Sequence, residues 1–159
     1  MRLLLAALAL VVCTGLVEAK TYGNARFSYF VNVPEVVGFH QFDSQNGDGA
    51  VFQSSDNSAQ LLVYGGWLSD ASFAQSFTLR IVYEKDDGWR ITYQKLKGAA
   101  FGVYSGRRGK RIVYGRIIPT CDGHATANFR LEYPMADKMK YDSVIAKLSA
   151  SLKAGAGGC

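Results

Sequence analysis

Three stretches of the sequence hold residue types that can do chemistry. Cys121 and His124 stand three apart, with Asp122 between them. A thiol beside an imidazole is a nucleophile and its base, although such pairs are usually assembled from distant segments of a chain. Zinc needs four ligands, and this stretch offers too few. The only other histidine is His40. Ser44, Asn46, Asp48 and Gly49 have the outline of a calcium loop. Its first ligand position holds Ser rather than Asp, and its twelfth holds Ser55 rather than Glu, so a plain turn is the better reading. The third stretch is electrostatic. Residues 88–121 carry eight bases (Arg90, Lys95, Lys97, Arg107, Arg108, Lys110, Arg111, Arg116) and no acid, whereas residues 20–87 carry four bases and eight acids. Tyr93, Tyr104 and Tyr114 interleave with these bases.

Bases spaced by aromatics suit anionic partners. The cluster Arg107, Arg108, Lys110 and Arg111 falls at a turn, where side chains project and packing demands are few. The plainer alternative is a solvated hairpin whose charges keep a sheet edge from pairing. The chain has no Gly-x-Ser-x-Gly elbow, phosphate loop or His-Glu-x-x-His helix. No catalytic residue, metal ligand or cofactor is therefore assigned.

The compartment narrows the choice of partner. Met1-Arg2 is a short positive start, Leu3 to Cys13 an unbroken apolar run, and Val17-Glu18-Ala19 a small-residue cleavage site. Residues 1–19 read as a signal peptide cut before Lys20. A lipoprotein would need a small residue before Cys13, and Val12 is not small. Export argues against nucleic acid and for an anionic envelope lipid, a glycan or an acidic protein. It also permits a disulfide between the two remaining cysteines, Cys121 and Cys159. Two cysteines alone fix no framework, so bonded and free states both stay open.

The elements that must position these residues follow from periodicity. Of the 159 residues, 48% are apolar and 13% aromatic, enough for a packed core. Phe27, Tyr29, Val31 and Val33 alternate with polar residues, predicting a strand over 26–33 that Pro34 stops. Residues 35–49 read as a loop ending in Asn46-Gly47-Asp48-Gly49, and 50–54 as a short strand. The run 61–68 is apolar on both faces, as in a strand covered on both sides. Ser69 and Asp70 suit the start of a helix over 70–83 carrying Phe73, Ala74, Phe77 and Ile81. A strand follows in which Trp89, Ile91 and Tyr93 alternate with Arg90, Thr92 and Gln94. A hairpin over 101–118 and a strand over 126–133 come next. The stripe Tyr141, Val144, Ile145, Leu148 and Leu152 marks a last helix over 136–152. Connections between strands are too short for parallel crossovers. The prediction is one α+β domain over residues 20–153, an antiparallel sheet with helices packed on its faces, with a flexible Gly/Ala tail over 154–159. No later run is long enough to span a bilayer.

Several short motifs carry a resemblance. They are Asn24-Ala25-Arg26-Phe27-Ser28-Tyr29, Asn46-Gly47-Asp48-Gly49 before Val51-Phe52, Ile91-Thr92-Tyr93 with Lys95 and Lys97, Cys121-Asp122-Gly123, and Leu131-Glu132-Tyr133-Pro134. Together they resemble the PsbP-like superfamily, and more narrowly a set of proteobacterial periplasmic domain proteins. The resemblance implies an α/β/α sandwich and a binding or assembly role, and it supplies no catalytic residues. The expected function is an exported, non-enzymatic binding or accessory module of the bacterial envelope that takes an anionic partner on the basic hairpin. A small hydrolase centred on Cys121 and His124 is the alternative.

Overall fold

The computed structural model describes residues 19–68, 72–156 and 158–159. Apart from Ala19, the expected signal peptide lies outside the described residues, as do Ser69 and Asp70, the expected helix start. Ala19–Asn24 (β1) and Tyr29–Pro34 (β2) form an antiparallel hairpin. The second strand starts later than the alternation predicts because residues 25–28 make the turn. There the Phe27 N–H donates to Asn24 Oδ1 at 3.1 Å. Phe27 is buried all the same, on the face of Tyr29, Val31 and Val33.

His40–Asp43 (β3) and Gly49–Gln53 (β4) form a second hairpin, so the expected loop over 35–49 contains a strand. It escapes sequence reading because it is a short edge with no fully buried residue, so it shows no apolar alternation. Gly47 closes the turn with φ +70°, a region that favours glycine. Gln60–Trp67 (β5) leads to the helix Phe73–Asp86 (α1), followed by Arg90–Lys97 (β6), Phe101–Arg108 (β7), Arg111–Thr120 (β8) and Ala125–Pro134 (β9). The helix Lys138–Ser151 (α2) and the short strand Lys153–Ala154 (β10) complete the order. Ser72 caps α1 in a reciprocal box: its hydroxyl accepts from the Gln75 N–H at 3.2 Å, and the Gln75 amide oxygen accepts from the Ser72 N–H at 2.7 Å.

The strands form a seven-stranded sheet, ordered β3-β4-β5-β9-β8-β7-β6, and a three-stranded sheet, ordered β1-β2-β10. All pairings are antiparallel. Alternate residues of β8 divide the core. Ile112 and Ile118 belong to the larger cluster, which joins Leu61, Val63, Phe129 and Leu131 to Val31 and the α2 stripe. Val113 and Ile117 face the other way, into a cluster with Phe73, Phe77 and Ile81 of α1. The two helices therefore cover opposite faces of the large sheet, giving the three-layer α+β arrangement. Tyr141, Val144 and Leu148 are fully buried. Gly115 is required where it stands: a Cβ there would run into the Tyr104 ring lying across β8.

Candidate functional site

The basic hairpin β7–β8 sends its charges to both faces of the sheet. Residues two apart on a strand share a face, and directly paired residues share it too. Arg108 pairs with Arg111 across the turn, on the side of Val113 and α1. Both meet Glu132 of β9: Arg111 Nε donates to Glu132 Oε1, and Arg108 Nη2 lies 3.7 Å from the same oxygen. Arg130 continues the chain of charges. Its Nη1 donates to Glu132 Oε2 at 3.3 Å, while Nε and Nη2 donate to the two oxygens of Glu84 at 2.7 and 3.1 Å. Glu84, on α1, is 2% exposed and also accepts from the Tyr104 hydroxyl at 2.7 Å.

The Trp89 ring lies beneath two of these guanidiniums, with Arg108 at 4.5 Å and Arg130 at 5.5 Å from its centroid. Arg108 Nη1 also donates to the Asp87 carbonyl at 2.7 Å, and Arg111 Nη2 to the Ser58 carbonyl at 3.1 Å. Burial opposes the charge on Arg130, but the hydrogen bonds and charge of Glu84 outweigh it and hold the guanidinium above its ordinary value. Burial, with Glu84 adjacent, pushes the Tyr104 phenol well up. The buried centre of this network is the Glu84–Arg130 pair, which with the Arg108 bond to the Asp87 carbonyl holds α1 to the sheet, while Arg108 and Arg111 form its partly exposed rim.

The opposite face differs. Arg107 pairs with Arg90, and a bulge in β6 between Ile91 and Tyr93 resets the parity of that strand. The sequence predicts Trp89, Ile91 and Tyr93 on one side. Instead, Trp89 and Ile91 pack under α1, while Tyr93 pairs with Ser105 on the side of Arg107 and is 51% exposed. A bulge adds one residue to a strand, so every later side chain changes face. Lys95 and Lys97 thereby join Arg90, Tyr93 and Arg107, paired opposite Val103 and Phe101. Arg116 of β8 stacks over Phe101 at 4.5 Å, and Lys97 lies 5.9 Å from the same ring. Burial lowers the Arg116 guanidinium below its usual value, and its Nε has no hydrogen-bond partner among the described residues.

Among the described residues, none of the ion pairs involves Arg90, Lys95, Lys97 or Arg107. Beside this face runs a groove of about 590 Å³ between α2 and the strands, lined by Tyr93, Arg107, Tyr114 and Tyr133 and by Lys138 and Asp142 of α2. Burial pushes the Tyr133 phenol up to about 12. Asp142 is already paired with Lys138 at 2.6 Å.

The four hairpin bases singled out by sequence are therefore not equivalent. Arg108 and Arg111 belong to the network, while Arg107 and Lys110 are exposed without an ion-pair partner among the described residues. Lys95 and Lys97 join Arg107, and the i, i+2 spacing of the two lysines was the available signal. The bulge that aims them was not visible in residue types.

The other candidate sites are built differently. Cys121 is joined to Cys159, with Cα atoms 5.0 Å apart, so its sulfur is no thiolate while that bond stands. His124 is exposed, and its N–H and carbonyl serve the turn, bonding to the Cys121 carbonyl at 3.0 Å and the Leu68 N–H at 2.9 Å. At the loop that outlines a calcium site, Ser44 Oγ accepts from the Gly49 N–H at 3.0 Å, and Asn46 Nδ2 donates to Asp48 Oδ2 at 2.9 Å. These contacts make a turn. The described residues hold no cluster of three or more His, Cys, Asp or Glu side chains that could bind a metal.

No protein-family model and no curated protein matches the sequence. Solved structures do match the fold. Cyanobacterial PsbP (CyanoP) from Synechocystis sp. PCC 6803 superposes with TM-score 0.66 at 12% identity, over 92% of this chain and 98% of that one. The Saccharomyces cerevisiae Ran-binding protein Mog1p superposes with TM-score 0.61 at 8% identity, over 87% of this chain and 96% of that one. The chain thus has a PsbP-like fold, as the sequence motifs imply. No described helix is long and apolar enough to cross a membrane.

Proposed function

We propose that this chain is an exported, non-enzymatic binding or accessory module of the bacterial envelope, and that it takes an anionic partner on the basic face formed by β6 and the β7–β8 hairpin. One observation carries the reading: Arg90, Lys95, Lys97 and Arg107 share a face beside the exposed Tyr93, and no acid pairs with any of them among the described residues. The contrast with Glu84, held by Arg130, and Glu132, held by three arginines, gives that observation its weight. Those carboxylates are sheltered and paired, whereas these four bases are exposed and without an ion-pair partner among the described residues. Lys110 is exposed at the hairpin tip, while Arg108 and Arg111 serve the fold. The leader-like N-terminus and the Cys121–Cys159 bond support export, since such bonds persist in oxidising compartments. The Ran-binding yeast protein supports protein recognition as a use of this fold.

The test is retention on immobilised polyglutamate. Wild type should be retained at low salt and released as salt rises. A variant carrying Arg90→Ser, Lys95→Ser, Lys97→Ser and Arg107→Ser should fold and pass through. Equal retention of the two proteins, or no retention of either, would overturn the reading. Export is checked separately by the intact mass of secreted protein, which should begin at Lys20.

A further inference from the structure

The bases on β6 lie along an open edge. This strand ends the seven-stranded order, and all but one of its eight residues are exposed. Half of its backbone N–H and C=O groups point away from β7, as on any edge strand. The two sides of that edge differ chemically after the bulge. Tyr93, Lys95 and Lys97 point to the Arg107 side, whereas Gln94 and Leu96 pair opposite Tyr104 and Gly102 on the α1 side. Leu96 is 37% exposed, a large apolar side chain at the rim of the α1 layer.

We propose that β6 accepts an extended acidic segment of a partner protein as an eighth strand, with acidic side chains alternating toward Lys95, Lys97 and Arg107 and apolar side chains toward Leu96. This rests on the anion-binding reading above and narrows it to one class of partner. Three observations select that class. Lys95 and Lys97 are two residues apart on one strand, hence about 6–7 Å apart, which is the repeat of side chains on a neighbouring strand. The row lies along an exposed edge strand rather than across a flat face, which suits a linear segment rather than a planar headgroup surface. A second copy of this chain is disfavoured, because antiparallel self-pairing of β6 would set its positive row against itself, and like charges across strands repel. An acidic strand makes the same contacts with the sign reversed. This is strand addition to a sheet edge, in which the backbone gives affinity and alternate side chains give specificity.

The probe is a synthetic nonapeptide alternating Glu and Val. Its binding is followed by fluorescence anisotropy, and amide hydrogen exchange is read on the full chain. We expect the peptide to bind and to slow exchange within residues 93–97. Methylating its alternate backbone nitrogens on the edge facing β6 should weaken binding at least about tenfold, or roughly 1.4 kcal/mol. Lys95→Glu with Lys97→Glu should weaken it by a similar factor while leaving the urea midpoint unchanged. If the methylated peptide and polyglutamate bind as well as the parent peptide, strand addition is overturned while the anion-binding face stands. If polyglutamate binds but the alternating peptide does not, strand addition again falls, and the lysines belong to the anion-binding face alone. If neither binds, both readings fall.

Discussion

The two faces of the sheet at β6–β9 hold charges of similar number and opposite fate. On the α1 side, Arg111, Glu132, Arg130 and Glu84 alternate in sign; Glu132 meets Arg108, Arg111 and Arg130, and Glu84 meets Arg130 and the Tyr104 hydroxyl. On the other side, no acid pairs with Arg90, Lys95, Lys97 or Arg107 among the described residues. One hairpin feeds both faces, and strand parity alone decides which role each base takes. Charge counts along a sequence thus overstate a binding surface wherever the strand also packs a buried face. Here half of the hairpin cluster is architecture.

The largest expected effect breaks the paired face. Glu84→Ala leaves the Tyr104 hydroxyl without its acceptor and the Arg130 guanidinium with Glu132 alone, and removing one partner of a buried pair costs about 3–5 kcal/mol. Urea unfolding should show that loss, with Glu84→Gln milder because it keeps an acceptor for Tyr104. A loss under 1 kcal/mol, on the order of a surface pair, would mean that the network is solvated rather than buried.

A smaller effect sharpens the difference between neighbours on one hairpin. Arg111→Ser removes the hydrogen bonds to Glu132 and the Ser58 carbonyl and should cost about 1 kcal/mol, the charge-assisted value discounted for the partial exposure of the side chain. Arg107→Ser should move stability by less than about 0.5 kcal/mol, as exposed substitutions usually do. Polyglutamate retention should rank them the other way, with Arg107→Ser the more damaging. Matching losses on both readouts would erase the distinction between the faces.

The smallest effect is a pH dependence far from either face. The Ser54 hydroxyl, then the Ser58 N–H and hydroxyl, hold the Asp56 carboxyl down to about 2. A depressed carboxyl stabilises the fold above its unfolded value near 3.8, and that contribution is lost as pH falls through about 2. The gap in midpoint between wild type and Asp56→Ala should be full at pH 5 and should close toward pH 2. A gap that widens on acidification would contradict the assignment.

Much of this architecture was legible because burial imposes a period. The stripe on α2, the strand β9 with Phe129, Leu131 and Tyr133 inward, and the β7–β8 hairpin all carry it. Elements without a buried face were not legible: β1, mostly exposed, and β3, whose only partly sheltered residue is Gln41. The capping box of α1 begins at Ser72, while the equally good cap sequence at Ser69 and Asp70 attracts the reading three residues early. The block of bases was plain in composition, but its division was not. Arg130 and Glu132 lie two apart on β9, but Glu84 is 46 residues from Arg130, and only laying α1 across the sheet brings it to them. The bulge in β6 is a backbone event that no side-chain pattern announces. It nevertheless decides that Tyr93, Lys95 and Lys97 face Arg107.

The most direct measurement is amide chemical-shift mapping by heteronuclear NMR while polyglutamate is added at low salt. We expect perturbations concentrated in residues 90–97 and 101–110, with the amides of α1 and of residues 130–132 left in place. Perturbations spread evenly over the surface, or centred on residues 40–49 or 121–124, would contradict the assignment of binding to the unpaired face.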